Sequence, residues 1–342
     1  MYQIKARPED FIVDEIINLK MSDGNYAYYK LKKTDYNTVS ALELLSGKFR
    51  IPLKSFGFAG NKDRHAITEQ HISIFKGKKE FENTPIKGIE LKYLGNGKEP
   101  ISLGTHEGNE FIITIRNLDI GDIKKIKKFT GKKITAPNYF GQQRFSKNNH
   151  VIGKNIVKGN FKAAAELIAE TNPPAVRQRL SETPNDYVGA IKKIPFKTRT
   201  LFINSYQSFL FNKILFLFLK KIGKDYGRKF NSLKIPLIGF GFDIGEIKNE
   251  ALKNIFDKII EEENISSRDF IIRQMPEMSS EGILRNAFFE AKDFDILEES
   301  KDGLNEGMKK IKVKFFLGKG CFATTLLDFI FNGCSNVLEN SA

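Results

Sequence analysis

The sequence has few cysteines and no long apolar run, and each absence excludes a class of protein. Only two cysteines, Cys321 and Cys334, occur in 342 residues, so no disulfide framework is expected and a reducing compartment is indicated. The N-terminal stretch MYQIKARPEDF lacks the apolar core of a signal peptide. The longest apolar run, from Ile214 to Leu219, is far too short to span a bilayer. We therefore expect a cytoplasmic protein without a membrane partner.

Sequence motifs for metals and cofactors are also lacking. The four histidines are not spaced like the ligands of a metal ion, either among themselves or with the cysteines. No P-loop, no Gly-x-Ser-x-Gly turn and no flavin or nicotinamide fingerprint is present. The expectation is a protein that needs no cofactor and no metal.

Basic residues are in clear excess. The chain has 55 lysines and arginines against 41 aspartates and glutamates, for a formal charge of +14. One interpretation is a compositional bias toward lysine. The other, which we favour, is a nucleic-acid partner, because clustered cations gain affinity by releasing counterions from phosphates. An acidic membrane fits less well, since no basic amphipathic helix dominates, and DNA binding lacks a helix-turn-helix or zinc signature.

The spacing of apolar residues predicts mixed structure in the first third of the chain. Strands are predicted at EDFIVDEI, YAYYKLKK and NEFIITIRNL. The second of these looks like an edge strand, with Ala27, Tyr29 and Leu31 inward and its lysines outward. The stretch NTVSALELLSGKF has helical spacing, with Asn37 or Thr38 as its cap and Gly47 as its end.

The spacing of apolar residues changes at about residue 155. Long segments with helical spacing follow, such as NSYQSFLFNKILFLFLKKIG, and strand patterns return near the C-terminus at KKIKVKFFLGKGCF. Strands, then helices, then strands indicate an α+β domain interrupted by a mostly helical insertion. We place one domain at residues 1–154 and 301–342 and the insertion at 155–300.

One carboxylate lies in an unusual place, in the stretch FAGNKDRHAITEQ at residues 58–70. Asp63 follows a glycine and is crowded by Lys62, Arg64 and His65. An exposed aspartate among cations is usually a surface ion pair that contributes little. Here the apolar and aromatic residues just before the glycine turn predict that Asp63 lies near a core. An aspartate kept ionised in an aromatic pocket is a candidate nucleophile or general base.

The neighbours of this carboxylate support a constrained turn. Gly57 and Gly60 permit a tight turn or the close approach of a ligand. Thr68 and Gln70, two residues apart, share one face of the following strand. They could hydrogen-bond a polar ligand or brace the turn.

Six sequence motifs, in order along nearly the whole chain, resemble the TruD family of tRNA pseudouridine synthases. AGNKDRHAITEQ resembles its G-x-K-D-x-x-A-x-T-x-Q signature, and KARPEDFIVDE its N-terminal motif. The others are LGTHEGNEFIITIR, PNYFGQQRF, YQSFLFN and GKGCFATTLL. One departure is Ser146, where the family favours glycine.

The resemblance implies a role for six residues. Asp63 would be the catalytic aspartate, Lys5 its basic partner and Phe140 the active-site aromatic residue. The substrate-contacting positions would be Phe11, Asn138 and Phe322. Two plain structural interpretations stay open: Phe140 could belong to the core, and Arg144 could brace the backbone of its own motif.

The resemblance also implies a fold and a reaction. The fold would be the pseudouridine synthase catalytic fold, a mixed β-sheet with flanking helices, interrupted by the family's insertion domain. The reaction would be the cofactor-independent isomerisation of uridine 13 in tRNA, with tRNA as partner and no obligate protein partner. Whether the aspartate attacks the sugar, attacks the base or assists elimination stays open. A non-catalytic RNA-binding protein on the same fold is the alternative, and the intact aspartate motif weighs against it.

Overall fold

The chain forms two compact units in a computed structural model that describes residues 2–171, 174–223, 230 and 232–333. The first unit comprises Met1–Ile134 and Glu290–Phe331, and the second is built on Thr135–Phe289. The second unit begins before residue 155 because the stretch that follows the seventh strand packs on a long helix of that unit. The predicted domain boundaries at 155 and 300 differ from these bounds, and the assignment of an insertion domain stays a prediction.

The strands, in chain order, are β1 (Phe11–Ile16), β2 (Tyr26–Thr34), β3 (Phe56–Phe58), β4 (Ile67–Phe75), β5 (Ile89–Gly97), β6 (Gly108–Leu118), β7 (Lys132–Pro137), β8 (Lys234–Leu237), β9 (Ile283–Asn286), β10 (Phe288–Lys301) and β11 (Lys309–Gly318). Nine of the strands in the described residues form one sheet, in the order β5-β2-β4-β1-β6-β11-β10-β7 with β3 beside β4. The pair β1–β4 is parallel, whereas β2–β4, β1–β6 and β6–β11 are antiparallel. The sheet is therefore mixed.

The helices, in chain order, are α1 (Thr38–Phe49), α2 (Ile120–Lys127), α3 (Asn149–Val157), α4 (Phe161–Thr171), α5 (Pro174–Glu182), α6 (Tyr187–Lys192), α7 (Phe196–Ile222), α8 (Glu250–Glu263) and α9 (Ala323–Asn332). The chain leaves the first unit within β7 and returns to it within β10. Helices α3 to α8 and the antiparallel pair β8–β9 lie between these strands. The α+β class, with a mixed sheet and flanking helices, is confirmed.

Strand β2 corrects one expectation about the first unit. It pairs with β4 on one side and with β5 on the other, so it is an interior strand. Alternation puts Ala27, Tyr29 and Leu31 on a buried face, as expected, and that face packs against α1. The same alternation continues to Lys33, which is also fully buried. The expectation that all the lysines of this strand face outward is wrong at Lys33.

Helix α1 forms where its sequence predicts and ends two residues later than expected. The Asn37 side chain accepts a hydrogen bond from the backbone N–H of Ser40, which is the expected N-cap. The helix does not end at Gly47, because the left-handed residue that closes it is Arg50, with φ 53°. Leu42 and Leu45 pack into the core of this unit.

The second unit is organised around α7, which buries both apolar and polar side chains along its length. Among its buried polar residues are Ser205, Gln207, Ser208 and Asn212. Among the residues that the structure describes, none of the helices combines the length and the apolar character that crossing a bilayer requires. Of the two cysteines, Cys334 lies outside the described residues.

Candidate active site

Asp63 lies on the turn between β3 and β4, with its carboxylate exposed. Its side chain is 58% accessible, so the expectation that it sits against a core is wrong. The aromatic residues that suggested burial, Phe56 and Phe58, instead belong to β3 and pair with β4. The carboxylate forms an ion pair with Lys5, whose Nζ lies 2.5 Å from Oδ2. Asp63 and Lys5, two of the three residues expected to be catalytic, therefore contact each other directly.

Lys5 is held in an uncommon conformation above an aromatic ring. Its φ is 60°, in the left-handed region that non-glycine residues adopt at an energetic cost. Its Nζ lies 4.2 Å from the centroid of the Phe11 ring. The cation thus contacts both a carboxylate and a π-face, and Lys5, Asp63 and Phe11 form one cluster.

The backbone of the turn is fixed by a short chain of side-chain hydrogen bonds. The Lys62 N–H donates to Thr38 Oγ1 at 2.8 Å, and Thr38 Oγ1 donates to Gln70 Oε1 at 2.8 Å. Gln70 Nε2 in turn donates to the carbonyl of Gly60 at 3.4 Å. Of the two expected roles of Gln70, the structure shows the bracing one. Thr68 is buried, and its hydroxyl has no hydrogen-bond partner within the described part of the chain.

A buried ion pair joins the turn to β1. Lys62 Nζ lies 2.5 Å from Oε2 of Glu15, and both side chains are almost fully buried. Burial alone would raise the pKa of Glu15, but its contacts with His71 and Lys62 outweigh that effect and lower the pKa overall. His106 lies close to the same group, and burial together with the charge of Lys62 lowers the pKa of its imidazole. Lys62 is thus an internal cation, while the next residue points to solvent.

A second buried lysine contacts the turn from the opposite side. Lys33 Nζ donates to the carbonyl of Asp63 at 2.9 Å and to the carbonyl of Tyr36 at 2.5 Å. Sequence reasoning missed Lys33, Glu15 and Thr38. A signal for Lys33 was present, because the two-residue period of β2 places it on the buried face.

The segment that carries Lys5 and Phe11 is anchored by a buried arginine. Arg116 of β6 makes two hydrogen bonds to Asp10, from Nε at 2.8 Å and from Nη2 at 2.7 Å. Its third nitrogen, Nη1, donates to Asp302 at 2.9 Å. Burial would raise the pKa of Asp302, yet its hydrogen bonds, including that from Arg116, hold the pKa well below its usual range. The pairing of Phe11 with Ile113 completes the anchor.

Phe322 lies at the exposed start of α9 in the first unit. The residue is 52% accessible, and α9 begins at the next residue. Its exposure excludes a role in the core, and its contact with a substrate stays a prediction.

Asn138 is buried in the second unit with its amide engaged by the protein. Its Nδ2 donates to the carbonyl of Asn286 at 3.0 Å, and its Oδ1 accepts a hydrogen bond of 2.7 Å from Nη2 of Arg285. The residue is 5% accessible. Its side chain is therefore oriented by β9, which carries both partners.

Phe140 is also buried and is clamped by α7. Asn212 Oδ1 accepts from the Phe140 N–H, and Asn212 Nδ2 donates to the Phe140 carbonyl, each at 2.9 Å. The ring meets Phe211 edge to face, with centroids 5.4 Å apart. These contacts explain the motif YQSFLFN physically, since its last two residues hold the phenylalanine in place.

Two arginines lie against the Phe140 ring. The guanidinium carbon of Arg285 is 4.3 Å from its centroid and that of Arg144 is 5.6 Å away. Arg144 also donates from Nε to Ser208 at 3.2 Å, and its carbonyl accepts from Ser205, which supports its interpretation as a brace. Sequence reasoning did not identify Arg285, because nothing in the local pattern of β9 indicates its partners.

Comparisons with known proteins agree with the motifs. The family described as "tRNA pseudouridine synthase D (TruD)" matches residues 2–177, 173–225 and 217–329. A probable tRNA pseudouridine synthase D of Methanosarcina acetivorans is 31% identical, over 95% of this chain and 91% of that protein. One from Methanocaldococcus jannaschii is 30% identical, over 97% of this chain and 92% of its own length.

A solved structure agrees as well. The crystal structure of a putative tRNA pseudouridine synthase D from Methanosarcina mazei matches with a TM-score of 0.74 and 28% identity, covering 95% of this chain and 92% of that one. The fold expected from the motifs is thereby confirmed. The chain belongs to the tRNA pseudouridine synthase D (TruD) family.

Proposed function

We propose that this protein isomerises uridine 13 of tRNA to pseudouridine, with Asp63 as its essential carboxylate and without a cofactor. The proposal includes the cytoplasmic localisation expected from the sequence, with tRNA as the partner. Family membership supports the reaction class. The position in the tRNA and the role of each residue are what the experiments below test.

One observation carries the proposal: the Lys5–Asp63 pair above the Phe11 ring, on an exposed turn with a fixed backbone. A catalytic carboxylate must be ionised, accessible and held in place. The Nζ of Lys5 lies 2.5 Å from Oδ2 of Asp63 and holds the carboxylate in place. The accessible side chain of Asp63 leaves room for a nucleotide, and the hydrogen bonds from the Lys62 N–H to Thr38 and from Gln70 to the Gly60 carbonyl restrain the turn.

The reaction is redox-neutral and balances within the nucleotide. The bond from C1′ of the ribose to N1 of uracil breaks, and a bond from C1′ to C5 forms. The proton on C5 leaves, and N1 of the base gains one. An anionic carboxylate serves as the nucleophile in this sequence, or it assists cleavage and later accepts the C5 proton.

The base must leave its stack before these bonds can change, because the reacting atoms are shielded in a helix. Phe11 and Phe322 offer aromatic faces in the first unit, and Phe140 is proposed as the active-site aromatic residue. Asn138 has both amide groups engaged, so the second lone pair of its Oδ1 is the acceptor left for a substrate.

The test measures release of tritium from tRNA labelled at C5 of uridine, with purified protein in buffer that contains EDTA. We expect release from wild type and a loss of at least about 10³-fold in Asp63→Asn, since removing a nucleophile or essential base costs orders of magnitude. The binding of tRNA to Asp63→Asn should stay within a few-fold of wild type. Asp23→Asn, at an exposed aspartate of the first unit, is the matched control and should be as active as wild type.

The same assay separates the alternatives. A tRNA whose uridine 13 is replaced by cytidine should release no tritium when that uridine is the only target. A wild-type protein that binds tRNA tightly but releases none would favour the non-catalytic RNA-binding function. Activity of Asp63→Asn within about tenfold of wild type would contradict the assignment of the aspartate.

A further inference from the structure

Lys33 is a lysine at a buried position of β2 where an apolar side chain would ordinarily be expected. It lies on β2, on the buried face shared with Tyr29 and Leu31, and its own accessibility is 0%. It pairs with Thr68 of β4 and with Ile89 of β5 across the sheet. Lysines are almost never fully buried without a specific partner. The position therefore calls for a reason other than packing.

The partners of Lys33 are two backbone carbonyls. Its Nζ reaches the carbonyl of Tyr36, in the loop before α1, and the carbonyl of Asp63. The carboxylate of Asp63 is held by Lys5 from the other end of the residue. Asp63 is thus fixed through both its main chain and its side chain, each time by a lysine.

This arrangement has a cost in stability. Burial lowers the pKa of Lys33 to about 8, against an opposing effect of the Asp63 charge and with a further contribution from the charge of Lys62. A depressed lysine pKa means that the folded state tolerates the charge less well than the unfolded chain does. An apolar side chain of similar volume would avoid the cost of burying the charge, although the two carbonyls would lose this donor. Selection for stability alone would therefore not require a lysine at this position.

We infer that Lys33 is a positioning residue for Asp63: its ammonium group ties the carbonyl of residue 63 to the β2–α1 loop and so fixes the direction of the carboxylate. The inference rests on the proposed function, because it gives Lys33 a role through Asp63. No other described side chain donates a hydrogen bond to the carbonyl of Asp63. Loss of this bond removes the donor that holds the carbonyl of residue 63, while the hydrogen bonds at Gly60 and Lys62 and the pairing of the carboxylate with Lys5 remain.

The test compares Lys33→Met with wild type in steady-state tritium release from C5-labelled tRNA. Methionine has a similar volume and is apolar, so it fills the site without donating. We expect kcat to fall by about 10²-fold, the order expected for a small misplacement of a catalytic group. KM and tRNA affinity should stay within about threefold, because Lys33 makes no contact that RNA could reach. Lys32→Met, at the exposed neighbour on the opposite face of β2, should leave both constants unchanged.

Unfolding experiments separate a positioning role from a structural one, because only the replacement of a structural residue lowers stability together with activity. The unfolded chain keeps the Lys33 proton up to about pH 10.5, whereas the folded protein releases it near pH 8. Between these values the unfolded state binds more protons, so stability rises with pH in wild type. Lys33→Met should lack this rise and should have a melting temperature at pH 7 equal to or above that of wild type.

The outcomes separate cleanly. Full activity in Lys33→Met would overturn the inference. A lower kcat that is accompanied by a lower melting temperature would also overturn it, because the loss of activity would then reflect a loss of stability. If Lys33→Met does not fold, Lys33→Gln keeps a neutral donor and should fold with intermediate kcat; failure of both to fold would make Lys33 a structural residue. If the wild-type protein releases no tritium, the proposed function itself is contradicted. If the wild type is active and Lys33→Met is equally active, only the inference about Lys33 is contradicted.

Discussion

Lys5 combines a left-handed backbone with an ion pair to Asp63 and a cation–π contact with Phe11. The strained φ of 60° is tolerated only where the surroundings determine the conformation. Those surroundings include the buried Arg116–Asp10 pair, five residues along the chain from Lys5. The structure thus holds the cation in place before any substrate binds, which is what electrostatic stabilisation at an active site requires.

Lys5→Met should lower kcat by about 10²- to 10³-fold, the range found when one group that stabilises charge is removed. The cause is the loss of the cation 2.5 Å from the Asp63 carboxylate. Affinity for tRNA, measured by filter binding, should change only a few-fold. Lys20→Met, at an exposed lysine of the same unit, controls for the loss of one positive charge. A loss of affinity as large as the loss of kcat would place Lys5 in RNA binding instead.

Part of the candidate site was predictable at the scale of residues, because the motifs contain Lys5 and Asp63 and imply that they are partners. The ion pair between them agrees with that expectation, whereas the contact of Lys5 with the Phe11 ring was not expected. The exposure of Asp63 was not predicted, because the aromatic residues Phe56 and Phe58 suggested a pocket around it. In the structure these two residues belong to strand β3 and pair with β4. Arg285 has no signal in the sequence, because its partners Asn138 and Phe140 are distant along the chain.

At the scale of elements, the alternation of apolar residues predicted individual strands but not their neighbours. Strands β1, β2 and β6 and helix α1 form where the patterns place them. The lysines of β2 favour an edge strand, whereas in the structure β5 pairs with it on the side away from β4. Pairing between strands is set by non-local contacts that a local pattern does not contain.

Glu15→Gln tests how firmly β1 holds the turn that carries Asp63. Removing one partner of a buried ion pair leaves the other charge uncompensated, so we expect a loss of about 3–5 kcal/mol of unfolding free energy at pH 7. The remaining charge would be that of Lys62, whose side chain is 7% accessible. Denaturant unfolding followed by circular dichroism provides the measurement.

The pH dependence of that loss has a defined sign. The pKa of Glu15 is lower in the folded protein than its value of 4.5 in the unfolded chain. The contribution of Glu15 to stability is therefore complete above pH 4.5 and is lost as the pH falls through the folded-state pKa. The difference between wild type and Glu15→Gln should therefore shrink below pH 4.5. The double variant Glu15→Gln, Lys62→Met should recover part of the stability at pH 7, because no buried charge is left unpaired. A single variant as stable as wild type would mean that the pair is not buried in solution.

At the scale of the whole molecule, the boundaries of the two units were the least predictable feature. The helical texture begins near residue 155, yet the second unit begins at Thr135. The stretch from Asn138 to Phe145 has no helical period, and it packs in the second unit through bonds such as that from Asn212 to Phe140. A change in the spacing of apolar residues marks where helices start, but it does not mark where a compact unit starts.

The net charge of +14 is spread over both units, and not all of it is available to RNA. In the second unit Arg179 is paired with Asp186 and Arg199 with Glu277. Lys192, Lys193 and Lys197, at the junction of α6 and α7, are exposed instead. Phe196 lies among them and is 50% accessible. Exposed lysines beside an exposed aromatic ring are typical of surfaces that bind single-stranded nucleic acid.

Replacing Lys192, Lys193 and Lys197 together by glutamine should weaken the binding of every tRNA and reduce the salt dependence of the binding constant. Each lysine that neutralises a phosphate contributes about one unit to the slope of log K against log salt, so the slope should fall by up to about 3. The rate at saturating tRNA should change little, because these contacts act equally on the ground state and the transition state. Replacing Lys124, Lys125 and Lys128 of the α2 region, which we expect to be a solvated face, removes the same charge as a control. An unchanged slope in the first variant, or an equal change in the control, would place the RNA elsewhere on the protein.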